Sequence, residues 1–199
     1  MKANVINLIH RTDRLEEIQS ECTREGLELV RHDGVNGQSV FFDTFSNKRM
    51  RGHAGCWQSH VNLLNKVKGT AKYHLVIEDD AVLCEGFKEK ALSYINQLPD
   101  DCGLCYLGGS ININENSIRD YNNSFNQALK VLATHCYVIK DSHIDLLLEV
   151  LNTRIYKVDV LFTEYQNTNL TLISKHCLSW QRESFSDIGF EILKYNTKY

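Results

Sequence analysis

The chain holds one proline, Pro99, in 199 residues, and no linker rich in proline, glycine and serine. Nothing therefore divides it, and residues 1–199 are expected to fold as a single domain with a sizeable core. Long hydrophobic runs are missing too. The longest, "HLVI" and "DLLLEVL", fall far short of the ~20 residues that span a bilayer, so any contact with a membrane would be peripheral. There is no long basic block, and the net charge is −3, which gives avid duplex DNA binding no electrostatic support. The N-terminal "MKANVINLIHRTDR" lacks a small-residue cleavage site, and charges follow its apolar stretch at once. It reads as a strand rather than a signal peptide, and a cytoplasmic location is expected. No repeat of fixed period is present, and the one biased tract is an asparagine-rich patch around Asn112 to Asn126.

Cysteine is present but in an odd count of seven, scattered through a chain without a secretory signal, which argues for reduced thiols. Cys102 and Cys105 have CxxC spacing in "DDCGLCYLGG". A thioredoxin-type pair opens a helix after a strand, whereas this one leads into an apolar run, and no proline follows to form a companion cis turn. A zinc site would need a second ligand pair, for which "THC" (His135, Cys136) and "KHC" (His176, Cys177) are the available partners. Buried strand cysteines without a chemical role are the favoured reading.

The elements can be placed from periodicity. "ANVINLI", Ala3 to Ile9, is β-branched and free of breakers, hence a short buried strand. "HRTDRLEEIQSECTREG" predicts a helix with Asp13 and Glu16 as a capping box, Leu15, Ile18 and Cys22 on one face, and Gly26 as its stop. "LELVRHDG" is a second strand. "GHAGCWQSHVNLLNKVKG" is a helix ended by Gly69, "YHLVIEDD" a third strand, "EGFKEKALSYINQLP" a third helix and "GLCYLGG" a fourth strand. One or two strands in "ALKVLATHCYVIK", a helix in "SHIDLLLEVL" and a strand in "LTLIS" precede a polar tail. The alternation predicts an α/β fold with a mostly parallel central sheet flanked by helices.

Three consecutive carboxylates, Glu78, Asp79 and Asp80, end the third strand. Packed like charges cost free energy unless a cation or hydrogen-bond donors compensate them. Ligands of open parallel sheets bind beyond the carboxyl ends of the strands. That rule sets the basic loop "IHRTDR" and the acidic triplet on one edge, a pairing suited to a metal-bound diphosphate. The alternative is a solvated acidic strand end.

These residues resemble glycosyltransferase family 25. The landmarks are "VINLIHRTDR", then "GHAGCWQSH" with Gly55, Cys56, Ser59 and His60, then "VIEDDAVL", "THCYVIKDSHIDLLL", Asp159 in "YKVDVLF", and Gln181 with Ser186-Asp187-Ile188 in "WQRESFSDI". His10 departs from the family pattern, and the chain is short for the family. The resemblance implies a GT-A-like nucleotide-sugar-binding fold and a metal-dependent inverting transferase. Its donor would be a UDP-sugar, carrying a hexose such as galactose, and its acceptor the hydroxyl of a glycan such as lipopolysaccharide. A hydroxylated base of viral or phage nucleic acid is the alternative acceptor, for which "NKRMRGH", Asn47 to His53, is the densest positive patch. A non-catalytic sugar-nucleotide-binding module is a further alternative.

Oxygen ligands suit magnesium or manganese, so Asp80 and Glu78 are the expected ligands of a divalent metal, with Asp79 orienting ribose or sugar hydroxyls. Asn7, Arg11 and Arg14 are candidates for the donor loop, since an arginine fork grips phosphate bidentately. Asp33 could meet the nucleoside or form a turn before Gly34. His60, near a helix start, could face phosphate or sugar, or simply bond a backbone carbonyl. Asp159 is the candidate base for the acceptor hydroxyl, Glu164 the fallback, and Gln181 or His176 could complete the metal or diphosphate shell.

Overall fold

The computed structural model describes residues 1–111, 116–188 and 192–193. Part of the asparagine-rich patch and most of the polar tail lie outside the described residues. Strand β1 (Lys2–Leu8) and helix α1 (Thr12–Arg24) are followed by β2 (Glu28–Gly34), a short α2 (Gly37–Val40) and the long α3 (Lys48–Val67). Then come β3 (Tyr73–Glu78), β4 (Ala81–Leu83), α4 (Phe87–Asn96), β5 (Leu104–Ser110), β6 (Ile118–Asp120), β7 (Phe125–Ala128) and β8 (Leu132–Lys140). A 3-10 turn leads into α5 (Ile144–Leu151), α6 (Val158–Thr168), β9 (Thr171–Ser174), β10 (Ser179–Gln181), β11 (Ser184–Phe185) and β12 (Ile192–Leu193).

The large sheet has the order β2-β1-β3-β8-β5-β9-β7-β6. Strands β1, β2, β3, β5, β9 and β6 run one way and β8 and β7 the other, so the sheet is mostly parallel with two reversed strands. Alternation along β3 explains the two-sided core. Leu75 and Ile77 pack with Ile18, Phe87 and Ala91 of α1 and α4, whereas Val76 packs with Trp57, Leu64, Leu147 and Phe162 of α3, α5 and α6. Both faces are covered, which is why this strand reads as a continuous apolar run rather than an alternating one.

Three details differ from the sequence-based expectation. No capping box forms at Asp13: α1 starts at Thr12 without a side-chain cap, because Asp13 bonds Arg11 instead. Helix α3 starts at Lys48, four residues before Gly52, because the Asn47 side chain accepts hydrogen bonds from the Arg49 and Met50 N–H groups at 2.8 and 3.3 Å. Helix α6, between the expected helix "SHIDLLLEVL" and the strand "LTLIS", was not read from the sequence, and Asp159 stands in its first turn.

Glycine sets how tightly α2 and α3 approach. A Cβ on Gly55 would lie 2.5 Å from the Val35 carbonyl oxygen, and one on Gly37 would overlap the carbonyl of Arg51. This contact holds the β2–α2 connection against the helix that carries Cys56, Ser59 and His60. The Val35 N–H donates to Ser59 Oγ at 2.8 Å, which fixes the same junction from the other side.

Candidate active site

The carboxyl ends of β1, β2 and β3, α3 and the C-terminal segment enclose a cavity of about 250 Å³. Its acidic side is built by the acidic triplet, whose members point in different directions because Glu78 ends β3 while Asp79 and Asp80 lie in the turn that follows. Glu78 shares the Val76 face, toward α3. There it accepts from the Thr134 hydroxyl at 2.6 Å and pairs with His60 Nε2 at 3.1 Å. Asp79 turns to α1, taking the Asn7 amide at 2.8 Å and Arg14 Nη1 at 2.9 Å. Asp80 is reached by Gln181 Nε2 at 3.4 Å, with Arg14 Nη1 3.8 Å away. Its Oδ1 is buried without a hydrogen-bond partner.

The electrostatics follow from this partition. Burial pushes the Asp80 carboxyl up to about 7, and the charge of Glu78 adds to the shift against the counter-pull of Arg14. Burial also raises Asp79, opposed by Arg14 and Asn7. For Glu78 burial acts in the same sense, but the His60 and Thr134 hydrogen bonds outweigh it and hold the carboxyl below its ordinary value. One carboxylate is thus well compensated while its neighbour two residues on is not. A buried, unpartnered carboxylate oxygen beside a second carboxylate, Glu78, is a hard donor that fits a divalent cation such as magnesium or manganese.

The other candidates divide into those at the cavity and those beside it. Arg14, His60, Glu78, Asp79, Asp80 and Gln181 line it. Asn7 stands one bond behind, bridging Asp79 and Arg31. Arg11 is tied to Asp13 and Asp187, an ion pair that fastens the loop after β1 to the C-terminal segment. Asp33 is exposed and paired with Arg31 at 2.9 Å. Asp159 is outside the cavity lining, its Oδ1 accepting from the Val160 N–H at 2.8 Å. Burial and then the charge of Glu78 raise its pKa, opposed by that N–H. Glu164 pairs with Arg154, and His176 is exposed away from the lining.

Two contributors were not read from the sequence. Thr134 follows Ala133, whose φ of 67° is a left-handed conformation that costs an L-residue about 1–2 kcal/mol. This bend, beside register shifts between β5 and β8, accompanies the Thr134 hydroxyl at Glu78. Tyr137, fully buried, meets His60 Nδ1 at 3.0 Å. Neither has a local signal, since both act through strand pairing far from the triplet. Cys102 and Cys105, in contrast, are buried around β5, and burial pushes Cys102 up to about 12.

The sequence profile of glycosyltransferase family 25, described as an LPS biosynthesis protein family, matches residues 1–162. The chain belongs to glycosyltransferase family 25. It is accordingly a glycosyltransferase, and the matched span includes β1 with its basic loop, α3 and the acidic triplet. No curated protein matches the chain. Among solved structures it is similar to a glycosyltransferase involved in the glycosylation of the major capsid of PBCV-1, at 9% identity and a TM-score of 0.48, over 86% of this chain and 80% of that one. Among the described residues no helix is long and apolar enough to cross a membrane.

Proposed function

We propose that this family 25 enzyme moves a hexose such as galactose from a UDP-sugar to a glycan hydroxyl, with inversion, in the cytoplasm. The observation that carries the donor side is Asp80, whose buried Oδ1 has no partner although it lines a cavity rimmed by Arg14. Glu78 and Asp80 would hold manganese or magnesium, which supplies Lewis-acid stabilisation of the charge developing on the departing diphosphate. Arg14 adds fixed positive charge on that side, and Asn7 keeps Asp79 oriented toward ribose or sugar hydroxyls. Arg11 and Asp33 would meet the donor from the loops after β1 and at the end of β2. His60, held between Glu78 and Tyr137, would present a fixed ring edge to the donor.

Asp159 is the proposed base. Its raised pKa suits a group that must accept a proton from the attacking acceptor hydroxyl. The proton passes from that hydroxyl to the Asp159 carboxylate while the acceptor oxygen bonds the anomeric carbon and the diphosphate leaves with the bonding pair.

Calorimetric titration with UDP, with and without manganese, tests the donor reading. Micromolar binding, about −8 kcal/mol, that requires metal and disappears in Asp80→Ala is expected. Wild-type protein that binds no nucleoside diphosphate with any divalent ion would overturn it. Asp159→Asn should bind UDP as wild type does, with kcat reduced about 100-fold or more; unchanged turnover would remove it as base.

A further inference from the structure

Cys56 has no part in the donor chemistry, yet its position is specific. It precedes His60 by one turn of α3, and both face the end of β3. One donor atom each from Cys56, His60 and Glu78 lies within 4.8 Å of the others. His60 Nε2 and Glu78 Oε1 are 3.1 Å apart. Tetrahedral zinc, with bonds of ~2.0–2.3 Å, sets its ligand atoms about 3.3–3.7 Å apart, so small side-chain movements complete the set.

The surroundings fit a metal-binding imidazole. A ligating histidine needs an oxygen partner on its second nitrogen, and His60 Nδ1 has the buried Tyr137 hydroxyl at 3.0 Å. A hydroxyl donates or accepts equally, so His60 can carry its proton on Nε2 toward Glu78 or on Nδ1 toward Tyr137. The half-buried Cys56 thiol meets the charges of Glu78, Asp159, Asp80 and Asp79, a negative field that a dication relieves. On the same cavity, the partnerless Oδ1 of Asp80 independently marks uncompensated ligand capacity.

We propose that Cys56, His60 and Glu78 form a three-ligand site for a zinc-class divalent ion, with its fourth position open to the cavity. Thiolate and imidazole select softer ions than the carboxylates around Asp80, so two ion classes have two overlapping sites. As the metal–sulfur bond forms, the S–H bond breaks and its proton leaves to solvent; no electrons are transferred. Glu78 belongs to both donor sets. A zinc-class ion seated here therefore competes with the hard cation, a consequence that rests on the donor reading above, whereas the binding site itself does not.

Cobalt titration of the metal-free protein provides the test. One equivalent should give a thiolate-to-cobalt charge-transfer band that zinc abolishes. Cys56→Ser should lose the band, His60→Asn should weaken it, and Asp80→Asn should keep it. Absence of a band in wild type, its persistence in Cys56→Ser, or its loss in Asp80→Asn would overturn the proposal. Far-UV circular dichroism checks that each variant is folded. Wild-type protein supplies a measurement free of substitutions: zinc at about ten times its dissociation constant should slow iodoacetamide alkylation of Cys56 about tenfold, read by peptide mass spectrometry. Unprotected Cys56 would refute the site. A cobalt band in a protein that binds no UDP removes the donor reading alone, and metal-dependent UDP binding without the band removes this proposal alone.

Discussion

At the scale of single residues, the acidic triplet is three different groups. Asp79 is bonded by Asn7 and Arg14, Glu78 by His60 and Thr134, and Asp80 keeps a bare oxygen. The folded protein holds the Asp80 proton to about 7, against an ordinary value of 3.8. Between these values the folded state binds more protons than the unfolded state, so metal-free stability falls as pH rises through the window and stays low above it. Asp80→Asn lacks this penalty. Its stability advantage over wild type should grow from near zero below pH 4 to a few kcal/mol at pH 8, on the order set by the pKa difference, in urea melts across pH. A pH-independent difference would show that Asp80 ionises normally. Arg14 is the converse case. Arg14→Met leaves the buried Asp79 without its cation, and a loss of about 3–5 kcal/mol at pH 8 is expected from chemical denaturation.

At the scale of elements, the cavity depends on two close approaches. Helix α2 sits on α3 because Gly37 and Gly55 have no side chains. Gly55→Ala sets a methyl against the Val35 carbonyl and the Gly37 backbone, so α2 must move. A destabilisation of about 1–3 kcal/mol is expected, with weaker UDP binding, since Gly37 and Gln38 line the cavity. The second approach is the bend in β8 at Ala133, with its positive φ. Ala133→Gly should leave stability equal or about 1 kcal/mol higher, because glycine adopts that conformation without the Cβ penalty. Thermal melts that show a clear loss would mean that the Ala133 methyl is needed for packing.

At the scale of the whole molecule, the loop after β1 meets residues 186–188 at the cavity. Arg11 bonds Asp187 across 176 positions of sequence, and Ile188 lies against Gly52 of α3 closely enough that a Cβ there would come within 2.7 Å of the Ile188 Cα. Three segments remote in sequence thus share one wall, and the family profile, which ends at residue 162, does not include the last of them. Asp187→Ala should release the Arg11 loop. Faster amide exchange of residues 9–14 is expected, with exchange in β3 unchanged because its pairing with β1 and β8 is untouched.

Much of this was legible without coordinates, for identifiable reasons. The apolar run before Glu78 and the helical spacing of Trp57, Val61 and Leu64 report burial directly, because periodicity is local. The strand-end rule likewise brought the loop after β1 to the same edge as the triplet. The sequence by itself determined the main strand–helix alternation from β1 to β5, the acidic edge and the family. What each carboxylate does was decided by tertiary structure. Glu78, the last residue of β3, faces α3, whereas Asp79, in the turn that follows, faces α1, and the partners awaiting them come from α3, β8, α1 and β1. Whether a buried charge is compensated depends on donors brought from 18 to 72 positions away, and no local pattern encodes that.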